Sequence, residues 1–338
     1  MFQTTLDLLD FIKSLSPFLF SLVIYTVLAI ALSKSIKKHA KVYYWVVGTL
    51  CLSFAIPVIA MAFGLKLPSV MSIPVIGAIS GEWSNAATFL HPVLVIIMYM
   101  GAFSPKNKYI GRLMTIRKEL SILTGFPFFA HIAKRLFHSF PKSWNFFMNY
   151  EESIASPRVT SVVGTTIEQS VLVLGVVMTA LFLVLWITSF DSVRRKMGGK
   201  KWKSWQRWSY ALYAMLFIHS VGLQVGGLMS YNAAQAKMEA KAKTEVVAAH
   251  AKTEAVAQAA HSDKKAAAPE AKKGETKAAP AKAQSGHGHG PKRFSFADVS
   301  VPRNCRALIN IIIYILVYGS YLYFRLGKAK ADKIKRMR

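Results

Sequence analysis

Seven stretches of this chain contain no Asp, Glu, Lys or Arg: Ser14–Ser33, Val42–Leu65, Trp83–Pro105, Leu120–Ala133, Gln169–Phe190, Trp208–Ala236 and Ala307–Phe324. About 20 apolar residues suffice to cross a bilayer core as a helix, and six of the seven runs approach or exceed that length. The backbone of a lipid-exposed segment must satisfy its own hydrogen bonds. The pattern therefore predicts an all-α integral membrane protein of about seven transmembrane helices. Leu120–Ala133 is the short one. It spans only if Lys118, Lys134 and Arg135 snorkel to the interfaces, and a re-entrant segment is its alternative.

The charge supports this class. The 338 residues carry a formal charge of +27 and are 53% hydrophobic. An excess of that size suggests nucleic acid when it is spread over a soluble domain. Here it is gathered at the ends of the apolar runs and in one loop, which excludes that reading. Lys34–Lys41, Lys106–Lys118, Arg194–Arg207 and Lys328–Arg338 are basic, and the segments that alternate with them, 1–14, 65–84 and 139–168, are nearly neutral. By the positive-inside rule the four basic segments are cytoplasmic, with the N-terminus outside and the C-terminus inside a bacterial cytoplasmic membrane. The first run is preceded by Asp7 and Asp10 and only one Lys, unlike the basic start of a signal peptide, and is expected to be retained. Cys51 and Cys305 lie in or beside apolar runs and form no CxxC or disulfide pattern.

Four regions follow: two N-terminal transmembrane helices (1–82), a helical core (83–231), an Ala/Lys-rich low-complexity loop (232–293), and a final helix with a basic tail (294–338). The loop lacks the aromatics needed for a core and is expected to be largely disordered. Its first part, Ala233–Ala260, has the composition to extend the sixth helix beyond the membrane. His287 and His289 near its end are candidates for loose metal binding, with a solvated tract as the simpler reading.

Two histidines fall at matching depth. Lys118 to His131 is 13 residues, and Gln206 to His219 is also 13. At the α-helical rise both imidazoles sit roughly 20 Å from the charged ends. Two imidazoles at one depth are a means of ligating haem iron from both axial sides. Alone, each is also readable as an interfacial histidine hydrogen-bonded to water or a carbonyl. His91, before Pro92, is a secondary candidate for a ligand or a propionate partner. Its simpler reading is an interfacial histidine at a proline kink. His138 lies on the face of His131 and is expected to be solvated. There is no GxGxxG after a strand, no P-loop and no HExxH, so no built-in NAD or FAD domain is expected.

The stretch Arg117-Lys118-Glu119-Leu120-Ser121-Ile122-Leu123-Thr124-Gly125-Phe126-Pro127-Phe128-Phe129-Ala130-His131 resembles the arginine-led, histidine-ended helix of the ferric-reductase-like transmembrane family. Ile187-Thr188-Ser189, Arg194-Arg195-Lys196-Met197-Gly198, Lys201-Trp202-Lys203 and the helix to His219 are similar to that family's next signature. Within the family, the chain is similar to the haem-binding membrane subunits of periplasmic methionine-sulfoxide reductase systems. The resemblance covers roughly residues 83–230. It implies a haem-binding helical bundle with His131 and His219 as outer-side axial ligands of haem b. It also implies transmembrane electron transfer from a quinol, or from cytoplasmic reduced flavin (FMN), to an extracytoplasmic acceptor or partner redox protein. Gln206 stands where the relatives carry a further histidine, which predicts one haem. Arg117, with the neighbouring basic residues, is a candidate for docking a flavoprotein or quinol headgroup; anionic lipid is the plainer partner for those charges. Trp202, Trp205 and Trp208 are readable as an interfacial belt or as the wall of a quinol pocket. The rival class is a haem-free transporter or an anchor subunit that recruits a partner. The runs hold almost no carboxylates, which argues against a proton-coupled carrier.

Overall fold

The computed structural model describes residues 2–65, 67, 73–263 and 301–337. Among them every regular element is helical. Four helices are long and apolar enough to cross a membrane: α4 (Ala40–Ala62), α12 (Val162–Ile187), α15 (Ser209–Asp263) in its first part, and α16 (Arg303–Met337). Two bent pairs raise the number to six if each is one span. Large apolar side chains such as Val27, Trp45, Val177 and Leu316 stay exposed on these helices. Water would penalise such faces and lipid would not. These are the features of a membrane protein.

Among the described residues four to six candidate spans stand against the expected seven, and three breaks, each with a local cause, account for the difference. α1 (Phe2–Leu15) meets α2 (Pro17–Ala31) at 115°. Pro17 disfavours helical geometry at the preceding residue. Ser16 adopts φ −150° and caps α2, its Oγ accepting from the Leu19 amide at 3.2 Å. The third run is divided between α5 (Pro74–Ser84), a π-helical turn (Ala86–Leu90) and α6 (His91–Met100), with a bend of 76°. The fourth run forms α8 (Arg117–Leu123) and α9 (Gly125–Lys134), then a second π-helical turn (Arg135–Ser139), and is not among the candidate spans. Pro127 removes one donor there. The Trp186 indole N–H donates to the Ile122 carbonyl at 3.0 Å. That approach requires Gly125, because a Cβ there would fall 2.1 Å from Trp186 Nε1.

α6 is the axis of the bundle. Nine of its ten residues are buried, as expected of a helix that is apolar on every side. One core lies on its flank toward α2, α4, α8 and α9, and holds Cys51, Val93, Ile97, Ile116 and Leu123. The other lies toward α12, α15 and α16, and holds Leu94, Met98, Phe182, Leu212 and Tyr318. α12 and α15 approach closely through glycines. A Cβ at Gly222 would sit 2.5 Å from Val171 Cγ1, and one at Gly226 would sit 2.7 Å from the Gly164 carbonyl. Small residues four apart let helix backbones pack within lipid.

The short helices α3 (Ser33–Lys38), α7 (Lys108–Thr115), α13 (Asp191–Met197) and α14 (Gly199–Gln206) carry the basic segments at one end of the bundle. An ionic chain joins three elements there. Lys37 pairs with Glu119 at 3.0 Å, Lys118 lies 3.8 Å from Glu119, and Lys118 pairs with Asp191 at 2.8 Å. α10 (Phe140–Met148) and α11 (Tyr150–Ala155) lie between α9 and α12. α15 continues unbroken to Asp263, as the Ala/Lys/Glu/Gln composition of Ala233–Ala260 predicts. His287 and His289 lie outside the described residues.

Candidate functional site

His131, at the end of the second turn of α9, and His219, at the end of the third turn of α15, line one cavity of about 150 Å³. Its walls are apolar: Leu90, Phe128, Ile132, Leu172, Met178 and Leu216. Arg135, one turn beyond His131 on the same helical face, lines it as well. Gly175 of α12 stands against His219; a Cβ there would lie 3.7 Å from His219 Cε1. His219 Nδ1 donates to the Val171 carbonyl at 2.7 Å. Such a bond fixes the tautomer and ring plane and leaves Nε2 with the lone pair that a metal needs. The Val171 carbonyl reaches His219 because Gly222 brings α12 and α15 together at the same level. Sequence reasoning missed Val171, Gly175 and Arg135. The i+4 spacing of Arg135 from His131 and the Gly222-x-x-x-Gly226 spacing were the signals available.

His91 is elsewhere. Its side chain is buried between α2, α15 and α16 rather than in the shared cavity. Nε2 is hydrogen-bonded to the Tyr318 hydroxyl at 2.8 Å, and Nδ1 to Ser220 Oγ at 3.4 Å. The ring stacks on Tyr314 at 5.3 Å with an interplanar angle of 8°. Both ring nitrogens are thus engaged, which leaves no lone pair for a metal and replaces the expectation of an interfacial histidine. Tyr314 and Tyr318, one turn apart on one face of α16, supply its ring contacts with that helix, and Ser220 of α15 the second hydrogen bond.

Gln206 and Arg117 meet at the basic end. Both line a cavity of about 60 Å³ with Ser121, Thr124, Ser209 and Tyr213. The Gln206 amide donates to Thr188 Oγ1 at 2.8 Å, and the Trp202 indole donates to the Thr188 carbonyl at 2.8 Å. Gln206 and Trp202 therefore both tie α14 to the end of α12. Trp205 and Trp208 are exposed. Outside the spans, the Lys118 ammonium beside Asp191 holds that carboxyl below its usual range. His138 is exposed and lies 3.2 Å from Lys142 Nζ. Among the described residues no three His, Cys, Asp or Glu side chains converge as a metal site.

No family model matches the chain. It is 31% identical over 216 residues to an uncharacterized protein of Treponema pallidum (strain Nichols), an alignment covering 60% of this chain and 49% of that protein. The chain thus matches about half the length of that relative. No solved structure matches.

Proposed function

We propose that the chain is a transmembrane b-type cytochrome of the ferric-reductase-like kind, with His131 and His219 as axial ligands of one haem. The observation that carries this reading is that the two histidines line one apolar cavity, with His219 Nδ1 engaged by the Val171 carbonyl. The donor set suits haem: two neutral imidazoles, apolar walls, and the Arg135 guanidinium for a propionate. The porphyrin would supply the equatorial donors and the one-electron couple. The cavity is smaller than the 300–1,000 Å³ or so of typical small-molecule sites. Loading therefore requires the α9 side, where the π-helical turn interrupts regular bonding, to move outward from α12. At the basic end the position of Gln206 carries an amide already bonded to Thr188 Oγ1 at 2.8 Å rather than an imidazole, which supports one haem per chain.

In this reading electrons enter from a quinol or a cytoplasmic reduced flavin and leave to an extracytoplasmic acceptor, with the N-terminus outside. Arg117 and the basic segments of α7, α13 and α14 supply the surface for the donor or for anionic lipid. The test is a reduced-minus-oxidised spectrum of the purified full chain with a haem-to-protein ratio. A low-spin b-type signal near one haem per chain, lost on His219→Ala, is expected. A colourless protein after expression with excess haem would overturn the reading in favour of a haem-free transporter or anchor.

A further inference from the structure

A larger cavity, of about 640 Å³, lies at the end of the bundle remote from the basic helices, between α2, α12, α15 and α16. We infer that it binds a small zwitterion, a free amino acid or short peptide with an apolar side chain, its ammonium on Glu168 and its carboxylate on Arg303 and Arg306. This site is separate from the histidine pair and does not rest on the haem reading.

Glu168 is half-buried in the second turn of α12 and lines the cavity. Among the described residues its carboxylate has no hydrogen bond and no ion pair, although ion pairs occur elsewhere in the chain. A carboxylate among apolar helices is costly unless it finds a cation. The backbone opposite is shaped to leave it room. A Cβ at Gly226 would fall 2.6 Å from Glu168 Cγ, and one at Gly227 would fall 3.3 Å from Glu168 Oε1. Two further polar groups on the same wall lack partners: Ser230 Oγ, which is buried, and the Gln224 amide.

The other side of the cavity is cationic. Arg303 and Arg306 open α16 and are exposed, with no carboxylate paired to either among the described residues. The Arg303 guanidinium rests over the ring of Tyr231, which also lines the cavity, at 5.8 Å. Pro17, Phe18, Leu223 and Tyr314 line the same cavity and offer apolar surface for a side chain. An anion alone would meet Glu168, and a cation alone would meet the arginines. A molecule bearing both charges and an apolar body satisfies every group. The volume lies within the range of small-molecule sites.

The experiment is equilibrium binding of radiolabelled L-leucine and L-leucyl-L-leucine to the full chain in detergent micelles. Leucinamide and N-acetyl-leucine serve as competitors that each lack one charge. Saturable binding of at least one probe is expected, with both single-charge analogues competing poorly. Glu168→Gln and the Arg303→Gln/Arg306→Gln pair should each weaken it about tenfold or more, the weight of one charge-assisted hydrogen bond. Gly227→Ala, which crowds the carboxylate without removing it, should weaken it as well. Circular dichroism matched to the parent shows that the variants fold. No saturable binding of either probe would overturn the proposal. So would leucinamide competing as well as leucine, which would mark a simple cation site, or binding unchanged in folded Glu168→Gln.

Discussion

The two histidine-bearing helices are built in opposite ways. His219 sits in a helix that is continuous from Ser209 to Asp263, locked to α12 by glycine contacts and by its own bond to the Val171 carbonyl. His131 sits near the end of the ten-residue helix α9, three residues before its last residue Lys134, after a break at Thr124 and before a π-helical turn. The His219 imidazole is held by the Val171 carbonyl on a continuous helix; the His131 imidazole is carried on a short helix bounded by a break and a π-helical turn. Interrupted turns of this kind recur at functional sites. The pair is thus asymmetric in its supports: a long unbroken helix faces a short, interrupted one.

The largest effect should come from removing each anchor in turn. His219→Ala is expected to abolish haem retention. His131→Ala should leave a substoichiometric, high-spin haem held from the His219 side, read by absorption and electron paramagnetic resonance. Equal and complete loss in both would erase the asymmetry.

Next come the glycines that set each helix in place. Gly222→Val drives a branched side chain into Val171, and Gly125→Ala drives a methyl into Trp186. Each should destabilise the fold by about 1–3 kcal/mol, the usual cost of overpacking. Gly222→Val should also shift the His219 environment, because Val171 holds its Nδ1, while Gly125→Ala should spare it. Thermal unfolding and the haem spectrum, measured together, separate the two effects. A spectral change in Gly125→Ala alone would show that the interrupted helix, not the continuous one, governs the histidine pair.

Thr188→Val removes the hydroxyl that receives the Gln206 amide. It should cost about 1 kcal/mol, the ordinary net worth of such a bond, with no change at the histidine pair. A changed haem-to-protein ratio would show that the basic end takes part in cofactor binding.

The smallest effect is electrostatic. Lys118 depresses the Asp191 carboxyl in the folded state. Its stabilising contribution is complete above the ordinary carboxylate value of about 4 and is lost as pH falls through the lower folded value. Both side chains are substantially exposed, so the pair contributes at most about 0.5 kcal/mol after screening. Lys118→Met should flatten the acid limb of the stability profile by that amount, and added salt should do the same in the parent. Since Lys118 opens α8, an effect on the His131 side larger than this would mean that the ionic chain positions α9.

Much of this organisation is legible in the chain because it is local. Charge-free runs give the apolar helices, and the Ala/Lys/Glu/Gln composition gives the extension of α15. The equal spacing of His131 and His219 from their charged ends anticipates that they meet at one cavity. The breaks were written in Pro17, Pro92 and Pro127, yet a hydropathy run does not register where a helix bends. The partners of His91 were not legible, because Tyr318 lies 227 residues away and joins it through the packing of α16 on α6. Glu119 shows the same limit. Its sequence position suggests a solvated helix start, whereas its side chain is 4% exposed and held by Lys37 from α3.

The length of α15 has a mechanical consequence. Its 55 residues make a rod of about 80 Å at the helical rise, and a bilayer core takes up only about 30 Å of that. The glycine contacts with α12 act as a fulcrum just beyond His219, with a short arm carrying the imidazole and an arm several times longer projecting from the membrane. A partner that grips the far end and tilts it applies torque about Gly222, and the short arm transmits a scaled-down displacement to the imidazole. In that geometry the Ala-rich extension would act as a lever on the wall of the cavity that His219 lines.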